Sequence, residues 1–167
     1  MTHPSISNTQ AEIEDVFGMA LAVLGDSFSA EELLSFVRLY RRRPLYFKAF
    51  RTPPEWNNME WRGMCFAAAD QDVILVHADQ GDLLFYDTLG HESGHLLANH
   101  VRTLDLTLEQ LIHNPDELLR QFQLSEHKTP LDEIESVADE LGIRFAECLM
   151  RHACLMPDAP REYYGND

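Results

Sequence analysis

Basic residues, paired cysteines and long apolar runs are all scarce in this chain of 167 residues. Only 13 Lys and Arg stand against 28 Asp and Glu, and the formal net charge of -15 repels a phosphate backbone at long range. Direct nucleic-acid binding is therefore not expected. Three cysteines, Cys65, Cys148 and Cys154, are odd in number and lack zinc-ribbon spacing, so they exclude a disulfide framework and read as buried thiols of a reducing compartment. No stretch approaches the ~18 uninterrupted apolar residues of a membrane span, and the polar opening Met1-Thr2-His3-Pro4-Ser5 has no signal-peptide pattern. The expectation is a cytoplasmic protein with no membrane partner. Repeats and low-complexity blocks are also missing, while 45% hydrophobic content is enough to give 167 residues a single core.

Residues 1–43 read as an N-terminal helical part. Ile13, Val16, Phe17, Ala20, Leu21 and Leu24 recur at helical spacing and Gly25 stops them, while Ser29 and Glu32 form a capping box ahead of Leu33, Leu34, Phe36, Val37 and Tyr40. Arg41-Arg42-Arg43 before Pro44 reads as the solvated, dipole-favoured end of that second helix. From Pro44 the pattern changes. Leu45 to Phe50, Gly63 to Ala68 and Val73 to His77 read as three short strands, with turns at Pro53-Pro54, Asn57-Asn58 and Asp70-Gln71-Asp72. Val73 to His77 reads equally as an edge strand for an extended ligand or as a core strand with no substrate role. Trp56 and Trp61 read as core or lid packing. Leu104 to Leu124 gives two helices broken at Asn114-Pro115, expected to cover one side of a cleft, and residues 157–167 form a loose tail after a core at 44–156.

The chemistry concentrates in Gly90-His91-Glu92-Ser93-Gly94-His95. On a helix, His91 and His95 lie one turn apart on one face, so two imidazoles converge on one metal ion, with Glu92 on a neighbouring azimuth. That is the zincin arrangement H-E-x-x-H, which serves hydrolysis of a peptide bond by a metal-activated water with Glu92 as general base. Gly90 and Gly94 each disfavour a helix by about 1 kcal/mol, which makes sense if another element packs against the backbone there. A third ligand is required. His100 has the wrong spacing and reads as a surface or supporting histidine at the helix end. Glu135 lies beside the buried stripe Ile134, Val137, Ala138, Leu141, Phe145 and Leu149, where a carboxylate needs a partner and a cation is one good solution, the alternative being an ordinary acidic helix face. Glu133 and Asp139 stand in reserve. Asp139, one turn from Glu135, is placed to accept a hydrogen bond from a ligand histidine, and small Ala138 lets the two helices approach closely.

A sheet followed by H-E-x-G-H-L-L-x-x-H and then Glu135-Ser136-Val137-Ala138-Asp139 resembles the ImmA/IrrE family of metallopeptidases over about Pro44 to Met150. The resemblance implies a single zincin-like α+β domain, a small sheet packed on the H-E-x-x-H helix with further N- and C-terminal helices. It implies Zn²⁺ held by His91, His95 and Glu135, with Glu92 as general base, and a protein substrate that is a helix-turn-helix repressor. Ser93 and the later position of Phe145-Ala146 depart from the family pattern. A second expectation is a regulatory module that keeps the fold and sequesters a transcription regulator or a toxin-antitoxin partner without cleaving it. An intact Glu92 argues for the enzyme, and no oxyanion-stabilising residue stands out, Tyr86 being as well suited to packing.

Overall fold

A computed structural model describes residues 6–51, 61–126 and 132–156. The turns at Pro53-Pro54 and Asn57-Asn58, Trp56 and the tail after Met156 lie outside the described residues. Within them the chain is an α+β protein: α1 (Ile6–Leu24), α2 (Ala30–Arg41), β1 (Leu45–Phe50), β2 (Gly63–Ala67), β3 (Asp72–His77), α3 (Asp82–Leu97), α4 (Leu108–Ile112), α5 (Pro115–Glu126) and α6 (Asp132–Leu155). No helix among the described residues is long and apolar enough to cross a membrane.

Local chemistry sets the boundaries. Gly25 closes α1 at a φ of 79°, a conformation that costs glycine little. Ser29 and Glu32 cap α2 reciprocally, Glu32 N–H to Ser29 Oγ at 3.1 Å and Ser29 N–H to Glu32 Oε2 at 2.7 Å. The α2 end departs from the expected solvated run. Arg42 alone is exposed, in the left-handed cap position, while Arg41 and Arg43 turn inward onto Asp72, which is 1% exposed. Arg41 Nε lies 2.8 Å from Asp72 Oδ2, Arg43 Nε lies 3.1 Å from Oδ1, and Arg41 Nη1 donates to Asn99 Oδ1 at 2.6 Å. A buried carboxylate needs such partners, and this one fastens α2 to the start of β3 and to the turn after α3.

The sheet order is β1-β3-β2, with β1 parallel and β2 antiparallel to β3. Of the two readings of Val73 to His77, the core strand is the one the topology bears out: it is the central strand, not an edge. Its uninterrupted run Val73-Ile74-Leu75-Val76 is apolar on both faces and is covered on both, as a strand without polar alternation requires. Ile74, Val76 and Cys65 face one core with α1, α2, α3 and α6. Val73, Leu75, Met64 and Phe66 face a second core, closed by Leu108, Leu111 and Trp61. The α4–α5 segment expected to wall a cleft therefore places these apolar side chains on the sheet face turned away from α3. Cys65 and Cys148 are buried as expected, but Cys154 is exposed near the end of α6.

The tightest packing joins α3 to α6. A methyl group added at Gly90 would stand 2.7 Å from the Gly142 carbonyl oxygen, one at Gly142 3.1 Å from His91 Cα, and one at Gly94 3.1 Å from Leu141 Cβ. Backbone meets backbone there, which is the close approach that Gly90, Gly94 and Ala138 foreshadow in the sequence. Gly90→Ala gains about 1 kcal/mol of helix propensity and loses about 1–3 kcal/mol or more to overpacking that neither backbone can relieve. A net destabilisation of about 1–2 kcal/mol is expected, read as a lower urea midpoint.

Candidate metal centre

Three side chains from two antiparallel helices meet where α3 and α6 cross. His91 and His95 project from one face of α3, and Glu135 from the first turn of α6. Their donor atoms all lie within 4.8 Å of one another. His91 Nε2 stands 3.0 Å from His95 Nε2 and 3.4 Å from Glu135 Oε2, and His95 Nε2 stands 3.5 Å from Glu135 Oε1. Ligands about 2.0–2.1 Å from a tetrahedral ion are separated by about 3.3 Å, so the spacing suits a small divalent cation.

The surroundings make the same demand. His91 Nδ1 lies 3.0 Å from Asp139 Oδ1, which in the neutral imidazole places the proton on Nδ1 and leaves an Nε2 lone pair facing the cluster. Two imidazole nitrogens and a carboxylate directed at one point repel unless a cation or a proton lies between them. These residues could therefore hold a metal ion, with Asp139 as the orienting partner rather than a ligand. His95 is 1% exposed and its Nδ1 has no such partner among the described residues. Glu133 is exposed and takes no part, and His100 instead reaches α1, its Nε2 3.2 Å from Glu12 Oε1. Tyr86 packs against the core.

Glu92 is set apart from the three donors. It is 5% exposed and its Oε2 has no hydrogen-bond partner among the described residues. A methyl group at Gly63, the first residue of β2, would run into Thr88 Cγ2 and stand 3.0 Å from Glu92 Cγ and 3.1 Å from Oε1. Only glycine lets β2 come this close to the helix. Gln80 fixes the approach: its Nε2 donates to the Arg62 and His77 carbonyls, each at 3.0 Å, and its Oε1 accepts from Thr88 Oγ1 at 3.0 Å. Sequence reasoning missed Gln80, Thr88 and Gly63, since nothing local marks residues that meet only through the fold.

Burial pushes the His91 imidazole below its ordinary value, but the Glu135 hydrogen bond and the charges of Glu92, Asp139 and Glu135 together outweigh it, and the net shift is upward. A group raised on folding stabilises the native state fully below its unfolded pKa and loses that contribution as pH rises through the folded value. The metal-free protein should therefore gain stability on acidification through this group. A cation needs the neutral ring, so the metal-loaded form should gain nothing there. The melting-temperature difference between metal-loaded and chelated protein is expected to shrink as pH falls toward and below 6.5, measured by thermal denaturation across a pH series.

Comparison of the chain with protein-family models, with curated proteins and with solved structures finds no match, so the reading of this site stands on its residues and their geometry.

Proposed function

We propose that this protein is a zinc-dependent endopeptidase with a zincin-like domain, similar to the ImmA/IrrE metallopeptidases. The observation that carries the proposal is the convergence of His91, His95 and Glu135 beside a buried Glu92 oxygen that has no partner among the described residues. A pure binding module has no use for that carboxylate. His91, His95 and Glu135 would hold the ion, and a two-nitrogen, one-carboxylate donor set suits Zn²⁺ with a position left open. When bound, the cation lowers the pKa of water toward about 7 and polarises a carbonyl. Glu92 accepts the proton from the attacking water at a carboxylate oxygen and returns it to the departing amine. Asp139 keeps the His91 proton on Nδ1 throughout.

Substrate lies along β2 rather than β3. Arg62 C=O accepts from His77 N–H and Ala67 N–H donates to Arg102 C=O, so by alternation Gly63 directs its N–H and C=O away from β3, next to Glu92. An extended peptide pairing there would pass over the cluster. The acidic surface favours a protein substrate over nucleic acid, and a cytoplasmic helix-turn-helix repressor is the substrate proposed. Incubation of zinc-loaded protein with such a repressor should give fragments that mass spectrometry maps to one bond, lost on chelation and restored by Zn²⁺. Stable binding without fragments would favour the sequestering module instead.

A further inference from the structure

Arg41 and Arg43 share Asp72, and Arg144 lies between Glu14 and Glu140, so each of these partly buried arginines meets a carboxylate. Arg102 does not. It is partly buried, yet among the described residues its guanidinium makes one long hydrogen bond, from Nη2 to the Gln121 carbonyl at 3.4 Å, and no ion pair. In a chain with 28 acidic and 13 basic residues, an arginine without a carboxylate is not a shortage of partners. Guanidinium carries five donors, and withdrawing them from water without acceptors costs free energy. Beside it, Gln121 is 1% exposed, its Nε2 is tied to Glu117 Oε1 at 2.6 Å, and its Oε1 has no partner among the described residues. A partly covered guanidinium and a buried acceptor thus stand side by side.

That place adjoins the proposed peptide track. Ala67 N–H donates to the Arg102 carbonyl and Leu104 N–H donates to the Ala67 carbonyl, both at 2.8 Å, so the Arg102 backbone flanks the outer edge of β2 at its far end. Burial pushes the guanidinium below its ordinary value, and Cys65 stands two residues up the strand from Ala67 toward Gly63. Cys65 and Gly63 share one face of β2, and Gly63 lies against Glu92. From Gly63 to Ala67 the strand rises about 13 Å, which an extended ligand matches with about four residues.

We infer that Arg102 is a carboxylate-recognition site of the cleft, selecting peptides with an Asp or Glu side chain or a free C-terminal carboxylate about two to four residues from the cleaved bond. The inference rests on the peptidase reading for its position relative to a scissile bond, but not for the carboxylate site itself. An arginine retained for a ligand differs from one retained for the fold: replacing it removes selectivity and leaves stability intact or raised.

Two measurements on wild type and Arg102→Met separate these. In the first, the zinc-loaded proteins digest a mixed peptide library containing internal Glu, internal Gln, free-acid and amidated C-termini. Wild type should favour Glu or the free acid about tenfold or more over its uncharged counterpart, the position of the preference telling the two sources apart, and the variant should lose that preference. In the second, chelated proteins bind fluorescein-labelled octapeptides that differ only in Glu or Gln, read by anisotropy. A Glu preference here that Arg102→Met removes upholds the carboxylate site even if no cleavage is found, in which case the peptidase reading alone fails. Equal treatment of Glu and Gln peptides by wild type overturns the inference. So does a lowered melting temperature of Arg102→Met with selectivity unchanged, which would assign the side chain to the fold.

Discussion

Glu92→Gln is expected to reduce peptide hydrolysis by about 10²–10⁴-fold while leaving bound metal at the wild-type level. The amide has the shape of the carboxylate, so the close approach to Gly63 persists, and Glu92 is not among the three converging donors. What is lost is the capacity to accept a proton. The buried Oε2 without a partner becomes a neutral amide group, which costs less to desolvate than a charge, so thermal stability should be equal or higher. Repressor binding should survive, since Glu92 is 5% exposed and offers a partner little surface. Cleavage within tenfold of wild type would remove the general-base role and with it the mechanism.

Glu135→Ala should have the opposite signature. The imidazoles of His91 and His95 stay in place on α3, but two nitrogens 3.0 Å apart remain without the carboxylate that stands 3.4 and 3.5 Å from them. Metal affinity is expected to fall by more than the roughly 10–100-fold typical of losing a supporting residue, and Asp139→Asn, which alters only such a support, should fall within that range. Metal content after dialysis against a competing chelator gives the order wild type, Asp139→Asn, Glu135→Ala. The metal-free protein should respond as well. Glu135 is the largest of the influences that raise His91, so its removal should weaken the stabilisation of the chelated protein at acidic pH. Undiminished metal in Glu135→Ala would mean that the ion is held elsewhere.

Much of the site was legible because its signals are local. His91 and His95 are four residues apart, a spacing that any helix converts into one face. Glu135 and Asp139 repeat that relation on α6, and the glycines of α3 announced a helix packed against its backbone before the partner was known. Ser29 with Glu32 is a boundary written within four residues. Strand order was not local. Val73 to His77 was legible as a strand, but its central position depends on which strands flank it, and its apolar run without alternation fits a strand covered on both faces. The arginine run before Pro44 was likewise legible as a helix end, whereas its engagement by Asp72 depends on a residue about thirty positions away.

By itself the sequence determined which helices form, where they start and stop, and which residue types could share an ion, because backbone hydrogen bonds and side-chain periodicity act over a few residues. Tertiary structure alone decided that Glu135 returns to the two imidazoles, that Gly63 and Gln80 seat Glu92 beneath β2, and that Arg102 meets the Gln121 carbonyl and, among the described residues, no carboxylate. Those relations join residues from 12 to 44 positions apart, and they arise from packing and desolvation, which depend on what the folded chain brings together rather than on what neighbours what along it.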